Sequence, residues 1–195
     1  WLDMLLGVLP TEQNTLIRST LVDYLRMPML ALESAEAEDV VYELSANHPS
    51  PICRLQLLRL LVDVARKDEI VETLYERWEQ WSVAQFSEFD YMRLAYRLAL
   101  IYPERYDHIV EATRSRLTHA DRRRQFDYIV RAVNPAIESR DALFEELLEA
   151  ENRRVEPWAE AALSLLMHPL QGDATRYIRP ALEELEEVQR TGDIF

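Results

Sequence analysis

The chain has 195 residues, 48% of them apolar, and a formal charge of −13 from 35 acidic and 22 basic side chains. A chain of this length buries about 70% of the surface it exposes when unfolded, so its core needs no metal or disulfide staple. The acidic excess is the reverse of what phosphate recognition asks for and sets nucleic-acid binding aside, and no apolar run approaches the ~20 residues that cross a bilayer.

Only three residues are glycine, while Leu, Ala, Glu and Arg are abundant, which favours helices over a sandwich or barrel full of tight turns. Leu2, Leu5, Leu6 and Leu9 fall on one side of a helix over residues 1–9, interrupted at Pro10-Thr11. A second helix carries Leu16, Ile17, Leu21, Tyr24 and Leu25, and Met27-Pro28 is expected to end it, because proline has no N–H to give the preceding turn. Ser34 caps a helix to about Ala46 with Val40, Val41 and Leu44 inward. Ser50 as N-cap with Pro51 at the first helical position then starts another, which runs to about Arg66. That helix is apolar over more than half its circumference (Ile52, Leu55, Leu57, Leu58, Leu60, Leu61, Val62, Val64), so it is expected at the centre, packed on two sides.

Asp68 caps a helix through Trp81, and Ser87 with Asp90 forms a capping box before Tyr91, Leu94, Leu98 and Ile101. Pro103 begins the next helix, Thr118 with Asp121 starts one holding Phe126, Ile129 and Val130, Ser139 caps Leu143 to Leu148, and Pro157 opens Trp158 to Leu166. In the last helix, capped by Asp173, Ile178, Leu182, Leu185 and Val188 share one face and Glu183, Glu184, Glu186 and Glu187 take the other; Pro180 predicts a kink or fresh start, and Gly192 a stop. Short connections between about ten helices make neighbours antiparallel. The expected fold is therefore all-α, an irregular HEAT- or armadillo-like α-solenoid forming a single domain over residues 1–195.

Few residues suggest chemistry. A zinc peptidase needs His-Glu-x-x-His on one helix face, yet His48, His108, His119 and His168 lie far apart and none precedes glutamate, so capping and surface roles are expected. Cys53, the single cysteine, sits on the apolar central helix and reads as a buried structural thiol. Arg122-Arg123-Arg124 reads as a solvated face pairing with carboxylates, and Trp78 with Trp81 as core.

Tyr177-Ile178-Arg179-Pro180, then Leu182, Leu185, Val188 and Gln189, then Thr191-Gly192-Asp193-Ile194-Phe195, resemble the closing helix of bacterial M1-family zinc aminopeptidases of the aminopeptidase N type. Trp1-Leu2, Leu5-Leu6, Leu9-Pro10-Thr11-Glu12, and Leu21 to Leu25 with Tyr24, resemble an earlier hairpin of the same C-terminal helical domain; where the family often has a Tyr-Trp pair next, this chain has Met27-Pro28-Met29. The resemblance implies a helical domain that encloses the catalytic chamber and limits peptide access, with zinc and all catalytic residues upstream and no metal or catalytic residue in this segment. Its partners would be the catalytic domain of the same chain and the peptide substrate, in the bacterial cytoplasm or periplasm. Arg54, Tyr91 and Arg131 are the candidates to meet substrate. Trp1 begins in mid-pattern and the chain stops on Ile194-Phe195, so both ends read as cuts from a longer protein. The alternative is a stand-alone α-solenoid adaptor that binds a protein or peptide on its concave face.

Overall fold

The computed structural model describes residues 1–184, and among them all regular secondary structure is helical. Eleven α-helices follow one another: α1 (Leu2–Val8), α2 (Thr15–Leu32), α3 (Ala35–Asn47), α4 (Pro51–Val64), α5 (Asp68–Gln80), α6 (Glu88–Ile101), α7 (Tyr106–Arg116), α8 (Ala120–Ile129), α9 (Ile137–Leu148), α10 (Glu156–Leu166) and α11 (Thr175–Glu183). Short 3₁₀ turns occupy Pro103–Arg105, Val130–Val133 and Ala150–Arg153. The chain divides into two compact units, Trp1–Arg97 and Leu98–Phe195. Their boundary falls inside α6, which is why no linker composition marks it.

Helix starts follow cap chemistry closely where the cap is Ser. Ser34 Oγ accepts from the Ala37 N–H, and Ser50 Oγ from the Cys53 N–H with Pro51 in the first turn. Ser87 and Asp90 form the expected reciprocal box: Asp90 Oδ2 accepts from the Ser87 N–H and Ser87 Oγ from the Asp90 N–H. Other starts differ. Asp68 is the first residue of α5 rather than its cap; the buried Glu38 carboxylate, from α3, takes the N–H groups of Arg66 and Lys67 at 2.9 and 3.0 Å and orders that turn. Asp121 pairs with Arg124 instead of capping α8, Ser139 lies inside α9, and Asp173 pairs with Arg140 instead of capping α11.

The largest departure is α2. It begins at an Asn14 cap and runs straight through Pro28 to Leu32. Proline there removes one bond, to the carbonyl of Tyr24, and Tyr24 lies on the exposed face where water can take its place. The buried face of α2 is Arg18, Val22, Leu25 and Met29, so of the apolar residues it carries Leu16, Ile17 and Tyr24 point out, as does Val40 of α3, which was expected inward. In α11 the helix likewise continues through Pro180; the expectations for Leu185 to Phe195 lie outside the described residues.

In the first unit α4 packs against α2 and α3 and buries Cys53, Leu57, Leu60, Leu61, Val62 and Val64, the central helix that its composition predicts. Its polar edge is tied to α6. Arg59 donates through Nε and Nη2 to Asp90 at 2.7 and 2.8 Å, Asp63 accepts from Arg93 at 2.6 Å and pairs with Arg26, and Arg97 reaches the Ala65 carbonyl at 2.9 Å. The second unit has its own core of Leu143, Phe144, Leu147, Ala162, Leu166 and Tyr177. Tyr177 anchors α11 there: its ring lies 5.1 Å from Phe144, and its hydroxyl donates to Asp141 at 2.8 Å.

Asp90 is 4% exposed. Burial alone would raise its pKa, but Arg59 and Ser87 hold the carboxyl below the ordinary carboxylate range. The stability this gives is present above the unfolded pKa near 4 and is lost as pH falls through the lower folded value. Asp90→Asn should therefore lower stability by about 2 kcal/mol at neutral pH, since the half-exposed Arg59 can still turn to water, and should flatten the acid limb. Urea titrations at pH 7 and at about pH 2.5, below the unfolded pKa, check both.

Candidate functional site

The first unit carries an open groove of about 570 Å³ between the end of α3, the first half of α4 and the end of α5. Pro51, Leu55 and Leu58 give it apolar surface; Arg54 and Arg77 give it charge; Ser82 to Gln85 form one wall. No aspartate or glutamate lines it among the described residues. A second groove, of about 730 Å³ in the other unit, is lined by Asp107, Glu111, Arg114 and Arg123 among others and mixes both signs, so it favours no ligand charge.

The wall owes its position to a helix end made without glycine. Trp81, at the C-cap of α5, takes a left-handed conformation (φ 50°), and the Ser82 N–H bonds back to the Arg77 carbonyl while the Trp81 N–H reaches Trp78. This is the Schellman arrangement, with tryptophan where glycine is usual, at a cost of roughly 1 kcal/mol. Tyr91 offsets that cost. Its ring stacks on Trp81 at 3.7 Å and 8°, Phe86 meets it edge-on at 5.4 Å, and its hydroxyl accepts from the Val83 N–H at 2.8 Å while lying 3.3 Å from the Val83 carbonyl.

These contacts settle where the three sequence candidates stand. Arg54 lines the groove, with Nη1 held by the His48 carbonyl at 2.6 Å and reaching that of Pro49. Tyr91 is 2% exposed and acts through the wall it holds, not by facing the groove itself. Arg131 belongs to the second unit, where it is locked bidentate to Glu146 at 2.8 and 2.6 Å, which raises the guanidinium pKa and lowers that of the carboxyl. The structure therefore groups Arg54 and Tyr91 around one groove and leaves Arg131 in an ion pair elsewhere. Arg77 went unnoticed in the sequence, where a lone arginine among the glutamates of α5 gives no signal.

Cys53 is fully buried and burial pushes its thiol up, so it is a poor nucleophile. Trp78 is fully buried, and Arg124 pairs with Asp121 while Arg123 reaches the Leu117 carbonyl. His119 is the N-cap residue of α8 and His108 lies within α7; His168 Nδ1 accepts from the Leu170 N–H. Among the described residues no three His, Cys, Asp or Glu side chains gather as a metal site, and no helix is long and apolar enough to cross a membrane.

His48 is buried behind the groove, its Nδ1 accepting from the Ser50 N–H at 3.1 Å. Burial first, then the charges of Arg18 and Arg54, push its pKa below 6.5. The unfolded chain thus binds this proton more readily than the folded one, and stability should fall as pH drops below about 6.5. Asn134 makes the same turn, its Oδ1 taking the Ala136 N–H, so His48→Asn is expected to keep the fold and remove this part of the pH dependence. Thermal melts at pH 7.5 and 5.5 check it. Compared with known proteins, the chain matches no family model, no curated protein and no solved structure.

Proposed function

We propose that this chain is the C-terminal helical domain of a bacterial M1-family zinc aminopeptidase. It would be a HEAT-like solenoid that covers the catalytic domain and limits peptide access, with zinc and its chemistry upstream. The observation that carries this reading is the run Tyr177-Ile178-Arg179-Pro180 with Leu182, which resembles the family's closing helix. In α11 the tyrosine of that run is the anchor into the core, the sort of role that keeps such a motif together in sequence.

A second observation supports a body that packs against another one. The outer face of α2 carries Leu16, Ile17, Tyr24, Met27 and Ala31 beside Thr20 and a single charge, Asp23, and Leu16, Tyr24 and Met27 are 76, 61 and 70% exposed. An apolar stripe of this kind marks an interaction surface. A free-standing adaptor would instead be expected to close with a polar outer helix, so this face favours the domain of a larger enzyme over the adaptor reading. In that setting the domain contributes by restricting which peptides reach the chamber and by excluding water when closed.

Two results test the proposal. The reading frame upstream of Trp1 should encode His-Glu-x-x-His with a later glutamate; a frame without it overturns the assignment. Co-expressed with those upstream domains, this chain should copurify with them. Tyr24→Asp with Met27→Asp should cut that recovery by about tenfold without lowering the melting temperature, because both side chains stand clear of this chain's own core.

A further inference from the structure

We propose that the groove between α3, α4 and α5 binds a peptide segment through an acidic side chain, aspartate or glutamate, set beside an apolar residue. The inference goes beyond the aminopeptidase reading and holds whether the domain is a lid or an adaptor.

Arg77 carries the argument. Seven other arginines stand in the first unit and each has a partner: Arg26 and Arg93 share Asp63, Arg59 has Asp90, Arg66 has Glu33, and Arg18, Arg54 and Arg97 each donate to a backbone carbonyl. Arg77 has no such partner among the described residues, in a chain where carboxylates outnumber basic groups 35 to 22. Its place in the last turn of α5 suits the helix dipole but leaves all its N–H donors unused.

The groove supplies the complement. Arg54 lines it with Arg77, and the carbonyl clamp on its Nη1 leaves Nε and Nη2 without a bond among the described residues. Two partly exposed guanidinium groups in a groove free of carboxylates create a local positive potential inside an acidic protein. A planar carboxylate fits such forks in bidentate fashion. Leu55, Leu58 and Val83 beside them offer apolar contact to a neighbouring side chain, and Tyr91 holds the Val83 wall in place before any ligand arrives, which limits the ordering cost of binding.

The test is fluorescence anisotropy of the 195-residue chain with a labelled, C-terminally amidated peptide of alternating glutamate and leucine. Its glutamine–leucine counterpart is the control. The glutamate peptide should bind about tenfold more tightly than the control and weaken as salt rises. Arg77→Gln should erase that tenfold preference with little change in melting temperature, since Arg77 makes no side-chain bond among the described residues and only its weak interaction with the helix dipole is lost. Arg77→Lys should retain part of it, and Arg77→Glu should shift preference to a lysine–leucine peptide. Equal affinity for the glutamine peptide, a preference that survives Arg77→Gln, or binding only when the peptide has a free C-terminal carboxylate would each overturn the proposal.

Discussion

The bond on which this structure most depends is the one from an arginine guanidinium to the carbonyls of the turn just before it. Every helix leaves its last carbonyls without intrahelical partners, and the usual remedy is a glycine in the left-handed region just past the helix end. A chain with three glycines in 195 residues has little access to that remedy. Instead Arg18, Arg54, Arg123, Arg140 and Arg153 each reach back six residues to a turn or helix-end carbonyl. Arg54, Arg140 and Arg153 hold a second carbonyl, five residues back, with the same Nη1. The bias of the chain follows from this. Of its 22 basic residues only Lys67 is a lysine, and an ammonium on a flexible stem cannot present the planar, multi-donor fork that bridges adjacent carbonyls.

The same scarcity of glycine explains the two left-handed residues among those described. Glu33 ends α2 and Trp81 ends α5, both with side chains that must tolerate positive φ. Each is stabilised from outside its own turn: Glu33 by an ion pair with Arg66, Trp81 by stacking on Tyr91. The groove is thus a by-product of how two helices end. The clamp at His48-Pro49 fixes Arg54, and the Trp81 turn fixes both Arg77 and the wall beyond it.

Much of the helical order was legible because it rests on local chemistry. Ser34, Ser50 and the Ser87–Asp90 box cap through residues a few positions away, so spacing alone identifies them. What was not legible depends on distant partners. Nothing in the sequence of α5 says that Glu38 orders its first turn from 28 residues upstream. Nothing near Pro28 says that α2 keeps its helix, because the freed carbonyl's access to water is a tertiary fact. The site fared similarly: Arg54 could be singled out as a candidate, but its clamp could be inferred only by setting His48-Pro49 to Arg54 beside Asn134-Pro135 to Arg140, two turns with the same spacing and the same bonds. Arg131 looked equally available and is spent on Glu146.

The ladder between α4 and α6 adds a constraint that burial cannot supply. Leucines and valines on α4 would accept a neighbour slid by one turn with little loss, since apolar contact has no direction. The ion pairs would not. Arg59 meets Asp90 and Asp63 meets Arg93, residue numbers rising together, so the two helices run parallel. Sliding α6 by one turn, roughly 5.4 Å, brings Arg93 towards Arg59 or Asp90 towards Asp63. Either places like charges together at a partly buried seam and leaves Arg97 without the Ala65 carbonyl, in a site where burial already lowers the guanidinium pKa to about 10. Such pairs contribute little net stability against an apolar replacement. Their effect here is to make the slipped register costly, and α6 is the helix that carries both Tyr91 and Asp90, so the register of this seam also fixes the wall of the groove.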